Sequence, residues 1–274
     1  MAIASGERLG GTDFDRAAGR PYANRPVRTL PARPLVVLPT YNEVDNIEAV
    51  LRLVRDVLPE ATVLVVDDGS PDGTADLAEH VGAQLGGGVE VLRRPAKAGL
   101  GSAYRAGFRW GIQHGHDALI EMDSDLQHDP ASLPSLIAPL GDWADLVVGS
   151  RYVPGGSTPS WAWHRLQLSR WGNRYAGWVL GIKVRDATSG FRAYRADLMA
   201  KLDLDSVRAD GYGFQIEMCY ETRRVGGTIA EVPIQFGERE RGASKMSSRI
   251  VVEALLLVTW WGLRDRVLRR RRRR

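Results

Sequence analysis

Apolar residues in this chain fall into two alternating patterns. Leu35–Pro39, Thr62–Val66, Val89–Leu92, Ala118–Met122 and Ala144–Gly149 are short, nearly unbroken apolar runs bounded by polar turns, and they predict buried strands. Between the first two, Ile47, Val50, Leu51, Val54 and Leu58 recur at helical spacing, behind a cap expected at Asn42 or Asp45. Further helices are expected from Thr74 onward, over Leu100–His114 and over Pro130–Leu140. Such alternation predicts a mostly parallel sheet with helices on both faces, a Rossmann-like α/β architecture.

After Arg151 the pattern changes. Ser160–Gly181 reads as one helix, with Trp171, Tyr175 and Trp178 on one stripe and Arg165, Ser169 and Asn173 on another. Aromatics beside basic residues suit a water–lipid interface, with core packing as the alternative. Residues 182–195 and 228–236 are expected to extend the sheet, with a helix over Tyr212–Arg224 between them. Ile250–Leu263 is largely apolar but holds Glu253, and it falls short of the roughly 20 residues that span a bilayer. Trp260, Trp261 and the arginines beyond them suit an amphipathic helix lying on anionic lipid, a core helix being the alternative.

Charge refines this picture. The net charge is +4, but Arg264–Arg274 holds eight arginines and one aspartate, so the tail's +7 leaves −3 for the rest. Nucleic acid is therefore not an expected partner of the body. Cys219 is the single cysteine, which excludes an intrachain disulfide and favours a reducing compartment. The first 34 residues, with four prolines, six arginines and no sustained apolar run, are expected to be a disordered leader. The expected organisation is thus 1–34 leader, 35–249 globular domain and 250–274 interfacial helix with its arginine tail.

The candidate chemistry follows the strands. Glu43, Asp67-Asp68, Asp123-Ser124-Asp125 and Ser150-Arg151 each stand just past a predicted strand, so a parallel sheet brings them to one edge. Paired carboxylates repel unless a cation lies between them, and Mg²⁺ or Mn²⁺ would suit both these oxygens and those of a nucleotide diphosphate. No glycine-rich dinucleotide fingerprint or Walker-type lysine loop follows a strand. Asp72 is expected to form a turn, Asp67 to combine turn and ligand roles, and His128 to support the acidic loop from behind. His114, His116 and His164 are expected at the surface.

Leu38-Pro39-Thr40-Tyr41-Asn42-Glu43, Val66-Asp67-Asp68-Gly69-Ser70-Pro71-Asp72-Gly73-Thr74, Asp123-Ser124-Asp125-Leu126-Gln127-His128, Gly149-Ser150-Arg151-Tyr152, Ser189-Gly190-Phe191-Arg192 and Gly237-Glu238-Arg239 through Gly242-Ala243-Ser244-Lys245 occur in that order. Together they resemble the family-2 glycosyltransferases, specifically the polyprenol (dolichol) monophosphate mannose synthases. The resemblance implies a GT-A fold and metal-dependent transfer of mannose from GDP-mannose to polyprenyl phosphate. It also implies a peripheral position on the cytoplasmic face of the cell membrane, and leaves room for an integral membrane anchor protein. An already anionic phosphate nucleophile, and no obvious second nucleophile in the sequence, predict a single displacement with inversion.

By the same resemblance, Pro39, Tyr41, Glu43, Val66 and Asp68 would hold the nucleoside. Asp123, Ser124 and Asp125 would meet the diphosphate, and Asp125 and Gln127 the metal. Arg151, Arg239 and Lys245 would surround the phosphates, and Arg151, Arg165 and Ser169 the acceptor phosphate. Ser124 stands where the family commonly has alanine. Two other readings stay open: a polyprenyl-phosphate glucosyltransferase using UDP-glucose, and a catalytically silent lipid-binding adaptor. Gln167-Leu168-Ser169-Arg170-Trp171 also matches the Gln-x-x-Arg-Trp signature of processive polysaccharide synthases, but the chain lacks their membrane spans and acceptor-site carboxylates.

Overall fold

The structure, a computed structural model, describes residues 28–237 and 248–272. The described strands β1 (Pro34–Thr40), β2 (Thr62–Asp67), β3 (Val89–Arg93), β4 (Ala118–Glu121), β5 (Leu146–Ser150), β6 (Arg192–Arg195) and β7 (Ile229–Pro233) form one sheet, ordered β3-β2-β1-β4-β6-β5-β7. Pairing is parallel except at β6, which runs antiparallel to both β4 and β5.

Side-chain alternation along the strands divides the core in two. Val36, Leu38, Val63 and Val65 meet Ile47, Val50, Leu51 and Val54 of α1 (Val44–Val57), Val81 of α2 (Thr74–Gln84) and Leu133 and Leu136 of α4 (Leu133–Ile137). On the other face, Leu35, Val37, Leu64 and Val66 meet Tyr104 and Phe108 of α3 (Leu100–Gln113). That second core continues through Leu180 of α5 (Trp163–Leu180), Phe214 and Met218 of α7 (Gly211–Arg224), and Ala254, Val258 and Trp261 of α8 (Ser248–Arg272). A short helix, α6 (Ala196–Met199), follows β6. Each large side chain buried this way contributes about 1.5–3 kcal/mol.

Three expectations change. The helix expected over Pro130–Leu140 is broken into a 3-10 turn (Pro130–Ser132), the five-residue α4 and a second 3-10 turn (Ala138–Gly141). Pro130, Pro134 and Pro139 lack the N–H groups a continuous helix needs. The strand expected over 182–195 contracts to Arg192–Arg195, because Asp186, Thr188 and Ser189 turn their polar groups onto two buried arginines. The expected leader ends earlier than residue 34. Arg28 pairs with Asp145 at 2.7 Å, and the N–H groups of Ala32 and Arg33 donate to Asp117. The remainder of the leader, residues 1–27, lies outside the described residues.

Glycines bring α3 close to the sheet. A Cβ at Gly107 would lie 2.5 Å from Val37 Cγ1, and one at Gly111 2.5 Å from Leu119 Cδ2. The carboxyl-terminal helix α8 begins at Ser248 and packs against α5 and α7, so one face of it belongs to the core. Its other face exposes Leu256, Trp260 and Leu263. No described helix is long and apolar enough to cross a membrane.

Candidate active site

The carboxyl ends of β1, β2, β4 and β5 open into a cleft of about 760 Å³. Pro39, Tyr41, Glu43, Asp68, Asp123, Ser124, Asp125, Gln127, Arg151 and Arg165 all line it. The convergence expected at one sheet edge is therefore present. Two expected residues do not line it: the Val66 side chain is fully buried in the core beneath the strand end, and Ser169 lines an adjoining groove. Arg239 and Lys245 lie outside the described residues.

At one end of the cleft the β1 and β2 loops are laced together. Ser70 Oγ accepts from the Asn42 N–H at 3.0 Å, and Thr74 Oγ1 from the Glu43 N–H at 3.0 Å. Asp72 accepts from the Val44 and Thr74 N–H groups, and these bonds outweigh its partial burial to hold the carboxyl below its ordinary range. Asp67 accepts from the Thr40 hydroxyl and from the N–H groups of Gly69 and Ser70, which makes it a turn-former. Asp68 pairs with Arg94 at 2.8 Å and accepts from the Ala98 N–H at 3.2 Å. Lys97, not singled out from sequence, holds its ammonium 4.2 Å from the Tyr41 ring centroid. It too follows a strand, β3, and that placement was the available signal.

The acidic loop after β4 is held from several sides. Leu126 has φ 62°, a left-handed conformation that costs a non-glycine residue about 1–2 kcal/mol. His128 Nδ1 accepts from the Asp123 N–H at 3.1 Å while its ring stacks on Phe191 at 4.8 Å. Burial pushes the imidazole pKa down despite the nearby aspartates, so His128 is a neutral support, as expected. The Tyr104 hydroxyl donates to Asp123 at 3.2 Å, and the Ser124 hydroxyl donates to the Pro39 carbonyl at 3.1 Å. Ser124 thus ties the β4 loop to the end of β1, where alanine could not.

Asp125 accepts from the Gln127 N–H at 3.2 Å, and Gln127 Nε2 donates to the Gly237 carbonyl at 3.4 Å. Asp123, Asp125 and Gln127 therefore present hard oxygen donors on one loop. No group of three or more His, Cys, Asp or Glu suited to a metal occurs among the described residues. This donor set fits Mg²⁺ or Mn²⁺ when ligand oxygens complete the shell.

Arg151 is buried, not exposed to the cleft as a lone cation. Its Nε and Nη2 donate to the two Asp186 oxygens, each at 2.7 Å, and Nη2 also donates to Thr188 at 2.9 Å. Burial disfavours its charge, but the Asp186 carboxylate more than compensates, and Asp186 in turn is held below its ordinary range. The rings of Tyr152, Trp161 and Phe236 surround the guanidinium at 5.0–5.4 Å. Asp186 was missed because it lies 35 positions away in a segment that reads as strand.

Beyond Arg151 the cleft changes character. The Arg165 guanidinium lies 3.9 Å over the Trp161 ring at the boundary. Ser169 accepts from the Tyr152 hydroxyl at 2.6 Å and lines an adjoining groove of about 70 Å³. Leu168, Gly172, Ile216, Ala254, Leu255 and Val258 give that groove its apolar walls, and Arg151, Trp161, Thr188 and Tyr212 border both spaces. Arg170, from the Gln-x-x-Arg-Trp match, sits 5.6 Å over Tyr152, and Trp171 is exposed. His116, expected at the surface, is buried against Trp110 with Nδ1 3.1 Å from the Arg33 carbonyl, and burial lowers its pKa.

Comparisons with known proteins agree with this architecture. The profile of the family described as Glycosyl transferase family 2 matches residues 35–203. The undecaprenyl-phosphate mannosyltransferase of Micrococcus luteus is 50% identical over 85% of this chain and 96% of its own length. The polyprenol monophosphomannose synthase of Mycolicibacterium smegmatis is 44% identical over 97% of each chain. Among solved structures, glucosyl-3-phosphoglycerate synthase of Mycobacterium tuberculosis, in complex with phosphoglyceric acid, superimposes with a TM-score of 0.62 and 25% identity, over 85% of this chain and 80% of that one. With the family profile covering most of the sheet and relatives matching nearly end to end, this chain belongs to glycosyl transferase family 2.

Proposed function

We propose that the enzyme transfers mannose from GDP-mannose to the phosphate of a polyprenyl phosphate at a membrane surface. The observation that carries this reading is the junction of the two spaces. A polar cleft with carboxylates and an amide at its centre opens, past Arg165, onto a groove walled by aliphatic side chains. A water-soluble acceptor would have no use for that groove, whereas the first isoprene units of a lipid would fill it. The names of the M. luteus and M. smegmatis relatives support the same donor sugar and acceptor class.

The chemistry asks little of the protein in proton transfer. An acceptor phosphate oxygen forms a bond to the anomeric carbon while the bond from that carbon to the β-phosphate oxygen breaks, and GDP departs with the electron pair. A phosphomonoester with a second pKa of about 6 is largely ionised at neutral pH, so no general base is needed. One displacement inverts the anomeric centre and gives a β-linked product from an α-linked donor. A divalent ion held by Asp125 and Gln127, with Asp123 alongside, would neutralise charge developing on the leaving diphosphate. Tyr41, Glu43 and Asp68 hold the nucleoside end, and Arg165 the acceptor phosphate. Arg239 and Lys245 would add positive charge over the phosphates.

The outer faces of α5 and α8 suit a lipid interface. Trp163, Trp178, Trp260 and Leu256 are each more than 60% exposed, an unusual density of bare apolar side chains for a surface facing only water. They lie on α5 and α8, the same helices that supply Leu168, Gly172, Ala254, Leu255 and Val258 to the groove, so a membrane on these faces would bring the lipid acceptor to it. The deciding experiment offers radiolabelled GDP-mannose and UDP-glucose to the purified chain with a C50-type polyprenyl phosphate. Mannosyl lipid from GDP-mannose alone supports the reading. Transfer from UDP-glucose alone, or no lipid product from either donor, refutes it.

A further inference from the structure

Gln215 of α7 is 2% exposed and lines the cleft, yet its Oε1 has no hydrogen-bond donor among the described residues. Its Nε2 donates to Glu121 Oε2 at 2.7 Å, while the Tyr194 hydroxyl donates to Glu121 Oε1 at 2.9 Å. Glu121 thus receives a donor on each oxygen, which orients the amide with its NH₂ toward the carboxylate and its oxygen the other way. A buried acceptor left without a donor is costly, so the site is built for a group that donates to it.

The position of Gln215 identifies that group. Gly190 opens the space beside it: a Cβ there would lie 3.5 Å from Gln215 Nε2, 3.9 Å from His128 Cε1 and 4.0 Å from Asp123 Oδ2. Gln215 therefore sits next to the diphosphate carboxylates. The nucleoside end, at Tyr41 and Asp68, lies on one side of that point and the acceptor end, at Trp161 and Arg165, on the other. Between a leaving diphosphate and an incoming phosphate lies the sugar. We propose that Gln215 Oε1 accepts a hydrogen bond from a hydroxyl of the donor sugar and is a specificity-determining residue of the transfer. This rests on the reading of the cleft as a nucleotide-sugar site.

The test measures binding of GDP, GDP-mannose and a set of deoxy analogues of GDP-mannose to the full chain by calorimetry with Mg²⁺. Wild type and Gln215→Leu should bind GDP within about twofold of each other, while Gln215→Leu binds GDP-mannose roughly tenfold more weakly. One deoxy analogue should bind wild type roughly tenfold more weakly than GDP-mannose, yet bind both proteins alike, because the bond is already gone. Gln215→Asn, which withdraws the amide without removing its polarity, should show the same pattern if the leucine variant does not fold. Equal GDP-mannose affinity in wild type and variant overturns the inference, as do analogue losses that simply add to the loss from the substitution. Wild-type protein that binds neither nucleotide overturns the functional reading itself, and the inference with it.

Discussion

Replacing Asp186 with alanine should destabilise the protein far more than removing an exposed ion pair. The Asp186 side chain is fully buried, the Arg151 side chain is 4% exposed, and the carboxylate accepts from the Arg151 N–H, Nε and Nη2 and from Thr188. The alanine variant leaves a guanidinium in the interior with those bonds unmade, a class of change that costs about 3–5 kcal/mol. For a chain of this size, that lowers Tm by roughly 6–20 °C at about 2–4 °C per kcal/mol. Urea unfolding followed by circular dichroism gives the free energy directly. The double variant Arg151→Met with Asp186→Leu should recover most of the stability, because no charge is then stranded, while transfer stays impaired. The sign with pH follows from the depressed Asp186 pKa. The pair's contribution is complete above the unfolded carboxyl pKa of about 3.9, and it is lost as pH falls from there through the lower folded value. Asp186→Asn should therefore flatten the acid limb of the stability curve below about pH 4. A loss under about 1 kcal/mol in Asp186→Ala, the range of a surface pair, would refute the assignment of this pair as a buried support.

Asp125→Ala should abolish transfer and weaken nucleotide binding chiefly when Mg²⁺ or Mn²⁺ is present; full wild-type activity in excess chelator would contradict the metal assignment. Arg165→Ala should raise the apparent Michaelis constant for polyprenyl phosphate far more than that for GDP-mannose, since Arg165 stands at the groove end of the cleft. Equal effects on both substrates would reassign it. Truncation after Leu268 should lower sedimentation with anionic liposomes, since each basic residue near such a surface contributes about 1 kcal/mol, and the effect should fade with salt as the Debye length shortens to about 8 Å. A deeper truncation would remove Asp265, whose charge acts on Tyr220 of α7, and so confound anchoring with folding. Undiminished sedimentation would instead point to the exposed Trp171 and Trp178 as the anchor, and changing both to glutamine would test that.

Much of the molecule was determined by the sequence alone. Leu35–Pro39, Thr62–Val66 and Ala118–Met122 announced central strands because a strand buried on both faces leaves few positions for polar side chains, the buried Glu121 being the interruption. The polar clusters behind those strands then had to meet at one edge, since parallel strands share an end, and Asp68, Asp123, Asp125 and Arg151 do line one cleft. What the tertiary structure alone decided are the partnerships across distance. Asp186 under Arg151, Glu121 under Gln215 and the Tyr152 hydroxyl on Ser169 join residues 35, 94 and 17 positions apart. No periodicity records such pairs, because a buried charge is satisfied by whichever chain segment packing brings to it. The antiparallel β6 was equally hidden, since four residues of Arg-Ala-Tyr-Arg carry no sign of direction. The same holds for α8. Its apolar length shows that the helix must be covered, and only packing decides that Trp261 enters the core while Trp260 faces outward.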